Sequence, residues 1–350
     1  MRNIYASIVR PLIFLTPPET AHKIAIQSFK YSWLWSRLAW HFNVDDDHER
    51  LAVSAGGITS LNPIGLAAGF DKNCEMFESL SFLGFGYLTL GTVTISPREG
   101  NPKPRIWRYA NESLVNSMGL PNQGADRIRE RLLDPQHNRR IVPIILSISG
   151  LSLDDFFDCY LKLELCADVI ELNISTPNTT GVRLFQDPMI FEQLLDGILS
   201  KRRANKPFWV KIPPYFDEKA RENVLELVNI CRRKSVNAVT AINTKPVKEP
   251  RASIGTAGVS GKEIFGDMLR IVRDIYTDTN GKISINACGG IYSAEDAWSA
   301  LQAGATTIQL YTGLIYRGPG LVAHVNHGLY KLLEKSDYQS IHELTGTEHS

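Results

Sequence analysis

A run of amide and hydroxyl side chains follows a predicted strand near the middle of the chain. The apolar residues 167–172 predict a buried parallel strand. Asn173 and Asn178 come after it, and each amide offers one acceptor and two donors, which matches the C=O and N–H edges of a pyrimidine-like ring. Thr176 carries a hydroxyl beside Pro177, whose ring stiffens the loop. These groups can bind and react, but the same residue types also build ordinary turns, so this segment alone leaves both interpretations open.

Polar side chains also follow four other predicted strands. Lys72 comes after the first strand, and Asn116 lies in the excursion that follows the second. Lys211 ends the fifth strand, and Asn243 follows the sixth. In a barrel the carboxyl ends of all strands meet at one face, where these groups would converge. Convergence favours a binding site, because turn formation explains one such Asn better than it explains several at different strands.

The alternation of apolar runs and helical patterns predicts the fold. Strands are predicted at Ile64–Ala68, Tyr87–Val93, Val142–Ile148, Val169–Leu172, Phe208–Ile212, Ala238–Ile242, Ile283–Ala287 and Thr306–Leu310. Predicted helices include Ser152–Cys166, Glu218–Lys234, Lys262–Thr277 and Ala294–Ala303. Eight β-then-α units predict an α/β protein with a (β/α)8 TIM barrel over residues 51–336. No G-x-G-x-x-G follows these strands, which disfavours a Rossmann domain that binds a dinucleotide.

Glycine-rich turns follow the seventh and eighth strands. They contain Gly289-Gly290 and Tyr311-Thr312-Gly313. Such turns at the end of a barrel are a common phosphate site, so the sequence predicts a phosphorylated cofactor. The competing interpretation is that Gly289, Gly290 and the glycines at 258 and 261 only allow a positive φ.

Composition excludes several classes of protein. The 350 residues carry 38 basic and 37 acidic side chains, a net charge of +1, and this balance disfavours a nucleic-acid partner. The five cysteines form no C-x-x-C pair and have no metal-like spacing with His, so we expect no metal site and a reducing cytosolic setting. We find neither a signal peptide nor an apolar run long enough to span a membrane.

The first 44 residues are predicted to be a helical segment separate from the barrel. Helices are expected at residues 4–14 and 20–42, and the second is rich in apolar and aromatic side chains with Lys23, Lys30 and Arg37 between them. The helices can be a plug packed on the barrel, an element lying on a membrane surface, or a lid that does both and covers an apolar passage. Residues 337–350 are predicted to be a polar, poorly ordered tail.

The motifs taken together resemble the dihydroorotate dehydrogenase family. They are Leu66–Lys72, Gly91–Thr94, Asn173–Thr179, Asn243-Thr244, Val259–Gly261 and Gln309–Gly313. Two further segments, 18–22 and 103–108, are similar to the quinone-linked, membrane-associated class 2 of that family. The resemblance covers residues 4–335. It implies an FMN enzyme of UMP biosynthesis that oxidises dihydroorotate to orotate and passes the electrons to ubiquinone or menaquinone.

The resemblance also implies roles for individual residues. Thr176 takes the place of the catalytic base, with Thr179 and Thr180 as candidates to relay the proton. The substrate-binding residues are Lys72, Asn116, Asn173, Asn178, Asn243 and Thr244. The FMN-binding residues are Ala67, Ala68, Gly69, Thr92, Ser147, Asn173, Lys211, Ser260, Gly261, Gly289, Gly290, Tyr311 and Thr312. His22, Arg108 and Tyr311 match positions of the quinone tunnel, and the protein is expected at the cytoplasmic face of the bacterial inner membrane as a peripheral protein.

Four positions depart from the family pattern. Thr176 stands where class 2 has Ser and the soluble class has Cys; it keeps the hydroxyl, but its β-methyl restricts χ1, so we expect a working base with an altered rate. Ser147 replaces an Asn near the flavin, and Leu120-Pro121 replace an aromatic residue and an Asn in the substrate lid. These departures keep two alternatives open: a related FMN barrel with another substrate or acceptor, and a flavin-binding protein without turnover.

Overall fold

The protein is described here by a computed structural model that covers residues 5–39, 49–134 and 140–349. Its strands are β1 (Val53–Ala55), β2 (Ile58–Ser60), β3 (Ile64–Leu66), β4 (Tyr87–Val93), β5 (Ile106–Tyr109), β6 (Ser113–Asn116), β7 (Ile144–Ile148), β8 (Val169–Asn173), β9 (Phe208–Lys211), β10 (Ala238–Ala241), β11 (Lys245–Lys248), β12 (Thr256–Gly261), β13 (Ser284–Cys288) and β14 (Thr307–Leu310). Its α-helices are α1 (Arg10–Phe14), α2 (Pro18–Phe29), α3 (Ser32–Leu38), α4 (Phe77–Ser81), α5 (Ala125–Leu133), α6 (Leu153–Leu163), α7 (Pro188–Lys201), α8 (Glu218–Arg233), α9 (Phe265–Thr279), α10 (Ala294–Gln302), α11 (Thr312–Arg317) and α12 (Leu321–Glu334).

The eight predicted strands form a closed parallel barrel, which confirms the (β/α)8 fold. The barrel runs β3-β4-β7-β8-β9-β10-β13-β14 and closes back on β3 through Ile308, Gln309 and Leu310. The strands are buried on both faces, as expected for a parallel sheet covered by helices. Side-chain caps begin several of the outer helices: Ser152 accepts a hydrogen bond from the backbone N–H of Asp155 at the start of α6, and Asp217 accepts one from Ala220 at the start of α8.

A small antiparallel sheet, which the sequence prediction missed, lies outside the barrel. It has the order β11-β12-β6-β5, so two excursions of the chain that are distant in sequence pair with each other. Asn116 at the end of β6 pairs with Gly258 in β12. The sheet therefore places the Asn116 loop beside the loops that follow the sixth barrel strand.

The prediction of one long helix over residues 20–42 was wrong, because the chain turns between α2 and α3. Tyr31 has a non-helical backbone at φ −95° and ψ 75°. After the turn, the Trp35 ring stacks on Phe29 with centroids 4.3 Å apart, and its indole N–H donates to the carbonyl of Ser28. Before α1, residues 5–9 form a turn of π-helix. Residues 1–4 and 40–48 lie outside the described part of the chain, and so do the ends of the two predicted helices that fall on them.

The prediction of a poorly ordered tail was also wrong, because residues 337–349 pack against the barrel. Ile341 and Leu344 are buried in the main core. The His349 ring stacks on Tyr276 in α9 at 4.7 Å, and Glu348 forms a two-bond ion pair with Arg273. The two buried apolar side chains thus anchor this polar segment to the barrel.

No helix in the described part of the chain is long and apolar enough to cross a membrane. Within the same residues, no cluster of three or more His, Cys, Asp or Glu side chains is arranged to hold a metal ion.

Candidate active site

One large cavity lies between the barrel and the N-terminal helices. Its volume is about 930 Å³, near the upper end of the range for small-molecule sites. The residues that the sequence analysis placed in a site line this cavity, except Ser147 and the relay candidates Thr179 and Thr180. Apolar side chains from α1, α2 and α3 line it as well, among them Phe14, Phe29 and Trp35. The predicted substrate, cofactor and tunnel residues therefore belong to one continuous space.

The four Asn side chains form one directly hydrogen-bonded pair and one pair that is bridged by a hydroxyl. Asn178 donates its amide to the backbone and side-chain oxygens of Asn116 at 3.1 and 3.3 Å. Asn243 donates to the hydroxyl of Ser175 at 2.9 Å, and Ser175 donates in turn to the side-chain oxygen of Asn173. Ser175, which the sequence analysis did not single out, thus joins two of the predicted residues. Its position between Asn173 and Asn178 in the same motif was the available signal.

An unused acceptor remains on this amide cluster. The side-chain oxygen of Asn178 is buried and has no hydrogen-bond partner among the described residues. The side-chain oxygen of Gln309, another residue of the cavity lining that was not predicted, is in the same situation. Buried acceptors are nearly always paired, so both atoms fit a ligand that donates N–H groups.

Thr176 is buried, and its hydroxyl is weakly bound. Its Oγ1 accepts only a long hydrogen bond, 3.5 Å, from the backbone N–H of Asn178. The hydroxyl of Thr179 is buried without a partner among the described residues. Both hydroxyls are therefore available for proton transfer, whereas the side chain of Thr180 is outside what the structure describes.

Two partly buried bases that line the cavity have lowered pKa values. Burial lowers the pKa of Lys72 to about 8, and the neighbouring charge of Arg105 adds to this effect. Burial also lowers the pKa of His22 to about 3, with smaller contributions from Lys72 and Arg105. The Lys72 ammonium donates to the carbonyl of Gly69 at 2.5 Å. At neutral pH this region therefore holds a charged lysine beside a neutral imidazole.

The cavity floor near β9 carries a second cation. The Lys211 ammonium is buried and donates to the sulfur of Cys288 at 3.7 Å. Across the barrel from β9, after β3, Ala67, Ala68 and Gly69 leave the backbone open to a flat group because they have little or no side chain. A flat ring with negative charge fits between these two surfaces.

The geometry of the glycine turns agrees with both interpretations of the sequence, a phosphate site and turns that need a positive φ. Gly289 and Gly290 have φ values of +146° and +74°, so both need glycine for backbone reasons. A Cβ on Gly290 would lie 2.6 Å from that of Phe265. Nearby, Thr312 donates its hydroxyl to that of Ser260 at 2.9 Å, and both residues line the cavity. Backbone and hydroxyl groups at this end fit a phosphate, and the whole set of residues fits FMN.

Ser147 lies behind the cavity wall. Its hydroxyl bonds to that of Thr92 at 3.1 Å, and the Asn173 amide donates to the same Thr92 oxygen at 2.9 Å. Ser147 thus supports Thr92, which does line the cavity. Leu120 and Pro121, the other departures, do line it, and Leu120 has φ +59°, an uncommon conformation for a residue with this side chain.

Two of the three predicted tunnel residues, Arg108 and Tyr311, are held by contacts with other elements. Arg108 in β5 donates to the carbonyls of Phe14 and Thr16 at 3.0 and 2.8 Å, and its guanidinium lies 4.4 Å from the centre of the Phe14 ring. Tyr311 donates its hydroxyl to the carbonyl of Gly69 at 3.1 Å. Arg108 therefore fastens the link between α1 and α2 to the small sheet.

Comparison with known proteins assigns the family. The sequence profile described as dihydroorotate dehydrogenase matches residues 50–333. The chain belongs to the dihydroorotate dehydrogenase family. The enzymes of this family use FMN, in agreement with the cavity lining described above. The prediction of the family from its motifs is thereby confirmed.

Relatives and solved structures of dihydroorotate dehydrogenases resemble the chain over nearly its whole length. The dihydroorotate dehydrogenase (quinone) of Nitratiruptor sp. is 35% identical, with 97% of this chain and 98% of the relative covered. The protein of the same name from Nostoc punctiforme is 33% identical, with 99% and 98% covered. A ligand-free dihydroorotate dehydrogenase structure from Eimeria tenella has a TM-score of 0.84 at 27% identity, covering 95% of this chain and 99% of that one.

Proposed function

We propose that this protein oxidises (S)-dihydroorotate to orotate with FMN and passes the electrons to a quinone, as a step of pyrimidine biosynthesis. The observation that carries the proposal is the shared cavity, which is lined both by the Thr176 loop and by the apolar faces of α1, α2 and α3. A polar reductant and an apolar oxidant can thus reach one cofactor. The names of the full-length relatives support the quinone as acceptor.

Different side chains bind the substrate and transfer its proton during oxidation. Lys72 binds the substrate carboxylate, and the Asn pairs hold the ring through its amide edges. The Thr176 hydroxyl takes the C5 proton, and because an alcohol is a weak base, it must pass that proton on at once. Thr179, buried and unpaired, is placed in the same loop to receive it. FMN, when bound, supplies the ring that accepts the hydride from C6.

Lys211 provides the electrostatic part of the mechanism. Negative charge develops where the hydride arrives, and a fixed ammonium stabilises it more in a water-excluded site than in water. Lys211 is almost fully buried at the end of β9, so it is held in place before the reaction begins. The glycine turns around 289–290, together with Ser260, Gly261 and Thr312, hold the phosphate end of the cofactor.

The N-terminal helices are proposed to rest on a membrane surface from which the quinone enters. Their exposed apolar side chains include Ile8, Leu12, Leu15, Tyr31 and Trp33. Such side chains would be costly to keep in water together and suit an interfacial element. His22, Arg108 and Tyr311 then line the route from this surface to the cofactor, and the cytoplasmic face of the inner membrane is the proposed location.

The test uses the purified FMN-bound protein without oxygen. Adding dihydroorotate alone is expected to bleach the flavin absorbance, and adding a short-chain ubiquinone analogue is expected to restore it. A flavin that bleaches but is not reoxidised by the quinone contradicts the proposed acceptor. A flavin that stays yellow contradicts the substrate.

The departures favour one alternative, a related FMN enzyme with another substrate or acceptor. Leu120 and Pro121 line the cavity where the family pattern has an aromatic residue and an Asn. A protein that stays yellow with dihydroorotate but bleaches with another cyclic amide would support this alternative. Reduction of a soluble dye in place of quinone would point to another acceptor.

A further inference from the structure

A carboxyl group lies fully buried inside the barrel, and the mechanism above does not use it. Glu171 in β8 has no exposed surface. One of its carboxyl oxygens accepts a hydrogen bond from the hydroxyl of Thr240 at 2.7 Å, and the other has no hydrogen-bond partner among the described residues. Burial of such a group is costly unless charge or hydrogen bonds compensate it, so the surroundings of Glu171 must explain its presence.

A chain of hydrogen bonds with a fixed direction ends at Glu171. The Thr307 hydroxyl donates to the side-chain oxygen of Asn286, so its single proton is used, and the Tyr87 hydroxyl must be the donor in their 2.8 Å contact. Asn286 donates its amide to Thr240 at 3.1 Å, and Thr240 donates to Glu171. Every proton along the chain therefore points towards the carboxyl group. A carboxylate, which only accepts, is the form that this arrangement stabilises.

A cation, Lys211, lies on the neighbouring strand. The strand β9 pairs with β8, and Lys211 lies two pairs beyond Trp209, the partner of Glu171, so both side chains are on the same face of the sheet. Both charges act on Cys288: burial raises the pKa of its thiol, Lys211 opposes this effect and Glu171 adds to it. Lys211, Cys288 and Tyr87 are the ionisable groups that other barrel strands bring towards Glu171. The barrel interior next to the cavity thus holds a positive and a negative charge that both act on the same sulfur atom.

We propose that Glu171 is a positioning residue whose fixed negative charge offsets Lys211 and so sets the reduction potential of the bound flavin. The inference rests on the proposed function, in which Lys211 stabilises charge on the reduced cofactor. With Glu171 ionised, the site favours the reduced form less than Lys211 alone would. A reduced flavin at this site would then pass its electrons to the acceptor more readily, and an oxidised flavin would accept the substrate hydride less readily.

The test compares the reduction potential of FMN in the wild type and in Glu171→Gln. The amide keeps an oxygen for Thr240 and removes the charge. We expect the potential to rise, so that the equilibrium constant for flavin reduction by a reference dye increases by roughly tenfold, the order of one nearby charge in a protein interior. Glu164→Gln is the matched control, because Glu164 is equally buried but pairs with Arg203 away from the cavity; its potential should equal that of the wild type.

An unchanged or lower potential in Glu171→Gln overturns the inference. The result is independent of turnover, because the dye measures the flavin alone. If dihydroorotate does not bleach the flavin of the wild type, the proposed substrate is contradicted, but the comparison of reduction potentials stays valid.

A second pair of variants decides the question if Glu171→Gln does not yield flavin-bound protein. Glu171→Ala removes the charge without placing an amide against Thr240, and its potential should rise above that of the wild type. Glu171→Asp keeps the charge and should follow the wild type. Equal potentials for all three proteins contradict a charge on Glu171.

Discussion

At the scale of single residues, the hydroxyl that we propose as the proton acceptor belongs to Thr176. Thr176 is buried next to an amide cluster, and only one long hydrogen bond holds its oxygen. This residue and the Asn cluster could be predicted from the sequence, because polar side chains at the ends of parallel strands converge in a barrel. The contacts of Ser175 with Asn243 and of Ser147 with Thr92 could not, because they cross between strands and no local pattern encodes them.

Removal of the Thr176 hydroxyl should stop the reductive half-reaction. Thr176→Val keeps the shape of the side chain and loses the proton acceptor, so we expect flavin bleaching by dihydroorotate to slow by about 10²–10⁴-fold with FMN still bound. Stopped-flow absorbance measures this rate. Thr176→Ser is the control and should retain bleaching. A valine variant as fast as the wild type would exclude Thr176 from proton transfer.

Substrate affinity should depend on the charge of Lys72. Its pKa lies near 8 because of burial, so the ammonium is present below that pH and is lost above it. We expect the KM for dihydroorotate to increase as the pH passes from 7 to 9. Lys72→Arg keeps its charge throughout, so any remaining affinity in that variant should not change over the same range. Constant affinity in the wild type across this range would contradict carboxylate binding by Lys72.

At the scale of elements, the barrel strands were predictable and the N-terminal helices were only partly so. Apolar runs bounded by polar turns marked all eight strands. The turn between α2 and α3 contains Lys30 and Tyr31, neither of which breaks a helix, and it exists because Trp35 packs on Phe29. The small sheet was missed because its strands are short and pair over long distances in sequence.

The link between α1 and α2 should control access of the quinone. In Arg108→Lys, one ammonium cannot reproduce the two hydrogen bonds to Phe14 and Thr16 or the contact with the Phe14 ring. We expect quinone reduction to fall by roughly tenfold, while bleaching by dihydroorotate is unchanged. Steady-state assays with a ubiquinone analogue and with a soluble dye separate the two. Equal loss with both acceptors would mean that Arg108 serves the barrel as a whole.

At the scale of the whole molecule, residues 337–349 pack onto the main core through Ile341 and Leu344. The carbonyls of Tyr338 and Gln339 accept hydrogen bonds from Arg50, so the two ends of the barrel segment are joined. Composition could not reveal this, because a polar segment with two apolar residues becomes ordered only when buried positions on α9 and α10 are available to it.

Leu344→Ala should destabilise the protein although it is far from the cavity. The side chain is fully buried, so we expect a loss of about 2–5 kcal/mol in the free energy of unfolding. Arg273→Ala, which removes the half-exposed ion pair with Glu348, should cost less than about 1 kcal/mol. Denaturant unfolding of the two variants measures the difference. Similar small losses would mean that the tail contributes little to the fold.

The stacked rings at the mouth of the barrel also give the molecule an internal fluorescent reporter. Trp35 stacks on Phe29, Phe29 meets the edge of Phe70, and Phe70 meets Tyr311 on the cavity wall, with successive centroids 4.3, 6.2 and 5.5 Å apart. Indole emission overlaps flavin absorption, so a flavin beside Tyr311 should quench Trp35. Trp35→Phe should remove part of the emission that returns when the flavin is released, whereas Trp33→Phe should alter only the solvent-exposed component. The packing of α3 on the barrel can thus be followed by tryptophan fluorescence, without an added dye.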